Sequence, residues 1–305
     1  MKDSNNMIEA IDVVKYFDSF KALDNMSMHV PKGAVYGLVG PNGCGKSTIM
    51  RHIMGIYKPK SGHITIDGQD VWENAHLKQK VAFIPDELFY FLQASTLDMK
   101  KFYKGIYKDF DEELFDNLRD AFPTIDLKKN IRNLSKGMQK QVVFWLSICT
   151  RPDVMLLDEP VDGLDPVMRR QIWSILMSDV AQRGTTILVS SHNLRELEDV
   201  CDHVGIMHKG RIIIERSLEE LEGSVMKIQV AFNGEMPDVP EFIKVLHSEK
   251  MGKVYTLIVK GYKEEINGFF EKCDTLILEQ LPLNLEEVFI YEMGGEDYAV
   301  KDILF

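Results

Sequence analysis

Cysteine is scarce in this chain, and the few present are scattered. Cys44, Cys149, Cys201 and Cys273 are far apart, with no CxxC spacing. Neither a zinc site nor a redox dithiol is indicated, and the pattern suits a reducing compartment. Long apolar runs are also missing. The longest near-continuous one, Val142 to Cys149, is too short to span a bilayer. The N-terminus is polar and lacks the apolar stretch of a secretory signal. Any membrane role is therefore expected to run through a partner. Positive charge is in deficit as well. The net charge is -11, and residues 223–305 hold 8 Lys or Arg against 15 Asp or Glu. Nucleic acid is not expected as a partner, because phosphate backbones are met by clustered cations. The acidic tail suits a solvated surface.

What is present alternates. Ile8–Val14, Met26–Val30 and Ala34–Val39 read as strands. A helical spacing follows at Ile49, Ile53 and Ile56. Residues 62–72 read as a hairpin turning at Asp67-Gly68, and Val81–Ile84 as a strand. Residues 95–149 lack strand signals and read as mostly helical. Val154–Leu157 and Thr186–Val189 are short apolar strands, each followed by a helical segment, which is the alternation of a parallel α/β sheet. A hairpin around Lys209-Gly210 closes this part. A boundary is expected near 216–224, at Gly223-Ser224. Beyond it, runs at Ile228–Phe232, Val254–Val259 and Thr275–Leu278 are separated by two helical patterns, giving a small α+β appendage.

The chemistry concentrates in two segments. Gly40-Pro41-Asn42-Gly43-Cys44-Gly45-Lys46-Ser47-Thr48 fits GxxxxGK[ST], after a strand and before a helix. Glycines let successive N–H groups turn inward on phosphate oxygens, and the helix start adds its positive dipole end. Lys46 is expected to reach the β- and γ-phosphates, and the Ser47 hydroxyl to bind Mg²⁺. The second segment, Val154 to Pro160, is a buried strand ending in Asp158 and Glu159. Asp158 would hold Mg²⁺ through water. Glu159 would position and deprotonate an attacking water.

Leu134-Ser135-Lys136-Gly137-Met138-Gln139 lies about twenty residues before the acids and resembles the signature of ATP-binding-cassette ATPases. Gly163-Leu164-Asp165-Pro166 resembles that family's D-loop, and Ser190-Ser191-His192 its switch histidine. Phe17, or its neighbour Tyr16, matches the aromatic that stacks on adenine. The resemblance covers roughly residues 5 to 220 in unbroken order and is closest to an exporter-like subfamily with separately encoded membrane subunits.

The resemblance implies a P-loop α/β core with a mostly parallel sheet, an antiparallel β subdomain and a helical subdomain at about 88–148. Together they fill residues 1–220, with the accessory α+β domain at 221–305. It implies an ATPase that uses ATP and Mg²⁺ and works on the cytoplasmic face of a membrane beside an integral permease subunit. It also implies a second nucleotide-binding domain, set head-to-tail so that Ser135 and Gly137 complete the neighbour's site. His192 would contact the γ-phosphate, and Asp165 would help form the seam. The alternative is a soluble cassette ATPase of a cluster-assembly or other non-transport complex.

Several positions depart from the family or stay open. Lys136 and Met138 replace the usual Gly and Gln. Asp86 stands where the family has the Gln of its Q-loop; it faces Mg²⁺ through water or simply faces solvent. In the first case ATP affinity would depend more on Mg²⁺ than with Gln. Cys44 is either an oxidisable thiolate favoured by the helix start or a small residue at a variable position. The aromatics Phe89, Tyr90, Phe91, Phe102, Tyr103, Tyr107 and Phe110 suit a groove for a permease helix or the packing of the subdomain. Leu281 to Phe289 resembles a closing segment of the subfamily, serving dimerisation or regulation.

Overall fold

The computed structural model describes residues 5–88, 90–91, 93–220, 225–234, 236–283, 287–288 and 291. Phe89, the boundary pair Gly223-Ser224, and Asn284, Leu285, Glu286 and Phe289 of the closing segment lie outside the described residues. The chain divides into two compact units. One comprises residues 1–192 and 200–215, the other residues 193–199 and 216–305. Among the described residues no helix is long and apolar enough to cross a membrane.

The first unit is built on two sheets. Strands β1 (Asn6–Phe17) and β2 (Phe20–Pro31) form a long hairpin, extended by β4 (Ser61–Ile66) and β5 (Gln69–Asp70) in the order β2-β1-β4-β5. These pairings are antiparallel. The two hairpin strands outrun their apolar cores because register shifts let polar residues continue the ladder.

The second sheet orders β10-β9-β3-β8-β7-β6, from β3 (Val35–Val39), β6 (Val81–Ile84), β7 (Val154–Asp158), β8 (Thr186–Ser191), β9 (His203–His208) and β10 (Arg211–Ser217). The run β9-β3-β8-β7-β6 is parallel throughout. Every residue of β3, β7 and β8 is buried. Their apolar runs, Val35–Val39, Val154–Leu157 and Ile187–Val189, are what a parallel sheet covered on both faces requires, and polar Asp158, Ser190 and Ser191 end the last two strands. One core joins the two sheets to helix α1 (Lys46–Ile53), with Ile8, Met28, Leu38, Ile49, Leu156 and Leu188 among its members. Ile56, expected on this helix, lies beyond its end and is 54% exposed. The helix stops at Ile53, and Gly55 adopts a left-handed φ of 63°.

Residues 95–149 carry α3 (Thr96–Ile106), α4 (Glu112–Asn117) and α5 (Lys136–Cys149), after a short α2 (Ala75–Lys78). Ser95 and Asp98 form a reciprocal capping box on α3. Trp145 of α5 stacks on Phe115 and Phe122 at 4.4 and 5.3 Å, and its indole N–H donates to the Phe115 carbonyl at 2.9 Å. Helix α6 (Pro166–Arg183) links β7 to β8, capped by Asp165 and ended by left-handed Gly184.

The second unit holds an antiparallel sheet β12-β13-β11-β14, from β11 (Val225–Phe232), β12 (Lys244–Met251), β13 (Val254–Lys260) and β14 (Thr275–Leu281), with helix α7 (Lys263–Phe270). Its core includes Ile228, Val230, Leu257, Val259, Ile266 and Phe270. One of the two helices expected here is instead strand β12. It pairs with β13 through a turn at left-handed Gly252 and sits at the sheet edge, nearly all exposed. Exposure removes the alternation that marks a half-buried strand, and its lysines suit an edge.

Candidate active site

Parallel order brings the chemical segments together. The phosphate loop follows β3, Asp158 ends β7, His192 follows β8 and Asp86 follows β6. Four neighbouring strands thus deliver their loops to one carboxyl edge, where α/β sheets bind ligands.

The loop's shape depends on two glycines. A Cβ on Gly40 would lie 2.2 Å from the Met207 carbonyl oxygen, and Gly45 has φ 119° with the Met207 methyl 2.6 Å from any added Cβ. Gly45 caps α1 without a side-chain hydrogen bond, so the first N–H groups of the helix stay directed at the cleft. Lys46 is 5% exposed, and its ammonium donates to the Gly40 carbonyl at 2.7 Å. The same ammonium stands 3.4 Å from Glu159 Oε1.

Asp158 is buried, and its Oδ1 accepts from Ser190 Oγ at 2.7 Å. Ser190 in turn accepts the Glu159 N–H at 3.1 Å. Glu159 is left-handed at φ 46°, unusual for a residue with a side chain. Its Oε2 lies 3.0 Å from His192 Nδ1, and its buried Oε1 accepts no hydrogen bond. The carboxylate is therefore held between a lysine, which pairs with Oε1, and a histidine, which meets Oε2.

Lys46 and Glu159 edge a cleft of about 340 Å³, whereas Asp158, Ser190 and His192 do not line it. Phe17, Phe20 and Ala22 of the β1–β2 hairpin form one wall. Asn42, Gly43, Gly45, Lys46, Ser47 and Thr48 form the floor, with Asp86 and Glu159 opposite. Of the two candidate aromatics, Phe17 faces the cleft. Tyr16 lies under the ammonium groups of Lys60 and Lys21. Phe20, 63% exposed and paired with Phe17 across the hairpin, went unnoticed in the sequence because no motif contains it.

Cys44 favours the protonated thiol. It is buried beneath the loop, and burial pushes its thiol upward, outweighing the lowering by Lys46. Asp86 is 57% exposed at its side chain and has a cation of its own, Lys140 of α5, at 3.9 Å. That cation offsets the charge which the sequence alone would set against a nucleotide. Among the described residues, three metal-capable His, Cys, Asp or Glu side chains converge only at Glu159, Asp162 and His192. Asp162 was not foreseen, and Asp158 and Asp86 are not in that group.

The signature segment lies elsewhere. Ser135 is exposed and caps α5 by accepting the Met138 N–H at 3.2 Å; Lys136 is exposed beside it. Neither Ser135 nor Gly137 lines the cleft. Asp165 spends its carboxylate on the N–H groups of Val167 and Met168. Of the aromatic cluster, Tyr90 is buried with its hydroxyl on the Gln139 carbonyl, and Tyr103 stacks on Tyr107. Phe91 and Phe102 meet edge to face at 4.7 Å, and both are more than 40% exposed.

The cleft suits a nucleotide triphosphate and Mg²⁺ on two grounds. Its floor is the start of helix α1, where backbone N–H groups and the Lys46 ammonium suit phosphate, and its lining brings together the Ser47 hydroxyl and the Asp86 and Glu159 carboxylates, oxygen donors that suit Mg²⁺. Comparison with known proteins agrees. Residues 23–162 match the family model described as ABC transporter. The chain is 32% identical to the ABC transporter ATP-binding protein YtrB of Bacillus subtilis, over 95% of this chain and 99% of that one. It is 26% identical to the bacitracin transport ATP-binding protein BcrA of Bacillus licheniformis, over 95% and 98%. A solved ATP-binding subunit of an ABC transporter superposes with a TM-score of 0.65 at 26% identity, covering 71% of this chain and 92% of that one. The chain belongs to the family of ABC transporter ATP-binding subunits.

Proposed function

We propose that the chain binds and hydrolyses MgATP and drives transport, in the export direction, through a separate integral membrane permease on the cytoplasmic face of a membrane. The observation that carries the hydrolytic reading is Glu159, gripped between Lys46 at Oε1 and His192 at Oε2 on the edge of the cleft that the phosphate loop floors. The loop from Gly40 to Thr48, with Pro41 and Cys44 as its backbone, cradles the phosphates. Lys46 meets the β- and γ-phosphates. Phe17, with Tyr16 next to it, carries the adenine. Ser47 and Asp158 hold Mg²⁺, which when bound neutralises phosphate charge, and Asp86 faces it through water. Glu159 orients water and takes its proton, and His192 steadies that carboxylate and contacts the γ-phosphate.

The export half draws on relatives whose names refer to transport of bacitracin and of a lantibiotic. The exposed Phe91–Phe102 pair offers an aromatic edge for a permease helix. Ser135 caps a helix whose start is unused within its own cleft, and with Gly137 it completes the site of a second copy or a homologous subunit. Residues 1–220 would form the motor and 221–305 an accessory domain.

Glu159→Gln tests the hydrolytic claim. It should retain ATP affinity while lowering turnover at least about 100-fold. Wild-type chain that binds ATP without any turnover would sink the claim. Co-purification with a multi-span membrane protein tests the transport claim, and a soluble assembly partner in its place rejects it.

A further inference from the structure

Lys140 is a buried lysine that the phosphate chemistry does not use. It lies on α5, 8% exposed, one turn beyond the Ser135 cap. Its ammonium donates to the backbone carbonyl of Glu159 at 2.9 Å and lies 3.9 Å from Asp86 Oδ1. Burial lowers its basicity, and Asp86, Asp162, Glu159 and Asp158 counter that effect. A charged lysine is seldom this buried without partners, and here the partners are the acids of the cleft edge.

The carbonyl it holds belongs to the left-handed residue. A non-glycine residue at φ 46° persists only where its surroundings fix it. Two fasteners do so at Glu159. Ser190 Oγ accepts its N–H at 3.1 Å, and Lys140 takes its carbonyl at 2.9 Å. The first comes from β8 next door in the sheet. The second comes from the helical region and is the one that also meets Asp86, in the segment leading from β6 to α3. Rotation of this peptide swings the side chain that touches Lys46 and His192.

We infer that Lys140 is a positioning residue for hydrolysis: it fixes the backbone of Glu159, and Asp86 acts on turnover by orienting the Lys140 ammonium. This rests on the hydrolytic role proposed for Glu159. Displacement of a reacting group by about 1 Å costs on the order of 100-fold in rate, so the effect belongs in kcat. Nucleotide affinity is set by the loop and hairpin, and Lys140 lines neither.

The test uses the full chain with MgATP, at protein concentrations where wild-type specific activity no longer rises. Equilibrium binding of a fluorescent ATP analogue is measured in parallel. Lys140→Met should lower kcat about 10- to 100-fold with KM and analogue affinity within about twofold of wild type. Lys140→Arg, which keeps a cation, should recover most of that loss. Asp86→Asn should lower kcat several-fold in the wild-type background and by a clearly smaller factor in the Lys140→Met background, the remainder being the share of its water-mediated contact with Mg²⁺. Unchanged kcat in Lys140→Met overturns the inference. So does a parallel loss of kcat and affinity, which marks a merely structural lysine. Equal effects of Asp86→Asn in both backgrounds overturn the link to Asp86; this arm relies on an exposed position that tolerates substitution. Wild-type chain without turnover sinks the hydrolytic reading itself, whereas a wild type that turns over beside an equally active Lys140→Met sinks only this one.

Discussion

Gly40 and Gly43 show two different reasons for glycine in one loop. Gly40 is needed for contact, since an added Cβ meets the Met207 carbonyl at 2.2 Å and Cys44 Sγ at 2.8 Å. Gly43 has open space but a φ of 80°. Gly40→Ala should cost about 1–3 kcal/mol of stability by overpacking and weaken ATP binding more than tenfold. Gly43→Ala should cost about 1–2 kcal/mol, the left-handed penalty, with no collision behind it. Urea unfolding and nucleotide titration of the two variants check the contrast. Cys149 supplies a pH dependence. It is fully buried, and burial raises its thiol from 9.0 to about 12. The fold favours the protonated thiol, so the stability it contributes is complete below pH 9 and is lost as pH rises from there towards 12. Each such thiol gives a slope of about 1.4 kcal/mol per pH unit. Cys149→Ala should remove its share of that slope, leaving the shares due to Cys44, Cys201 and Cys273, whose thiols burial also raises. Urea unfolding at pH 8, 9 and 10 measures it. Lys46, Ser47, Asp158 and Glu159 were legible in the sequence because their spacing is itself the chemistry. Lys140 and Asp162 were not, because their roles depend on which way α5 and the turn after β7 face.

Elements were legible where burial writes a pattern. Strands β3, β7 and β8 are buried end to end, and their sequences are apolar up to the polar ends at Asp158, Ser190 and Ser191. The parallel order could be expected from alternation with helices. Strand β12 left no such mark, because an exposed edge strand needs no alternation. The end of α1 is hidden for a related reason: Ile56 continues the helical spacing but lies past the turn at Gly55. In the helical region the decisive feature is tertiary. Trp145 is fully buried, stacks on two phenylalanines and satisfies the Phe115 carbonyl. Trp145→Phe keeps an aromatic ring but removes the indole hydrogen bond to that carbonyl and leaves a gap beside it. A loss of about 2–4 kcal/mol follows from the two effects together. Chemical denaturation should show it, and a loss below about 0.5 kcal/mol would mean that the stack reseals around the smaller ring.

At the scale of the whole molecule, the proposed function divides the motor between copies. The cleft contains Lys46 and Glu159 but neither Ser135 nor Gly137. If each site pairs the phosphate loop of one copy with the capped start of α5 from another, a single defective chain spoils both sites of its own homodimer. Lys46→Ala removes the loop's cation, and Ser135→Arg places a long side chain at the capped helix start. Each variant alone should be inactive. Mixed in equal amounts, half of the dimers combine one chain of each kind. In such a dimer one site joins both defects, and the other joins an intact Lys46 to an intact Ser135. Activity should therefore return to about a quarter of the wild-type value in a two-fold dimer with independent sites. It should also depend on total protein concentration, since the assembly forms by association. The readout is phosphate release on mixing, followed as the mixture is diluted. A mixture that stays as inactive as its components would place Ser135 outside the neighbour's site and leave its cap on α5 as its whole role.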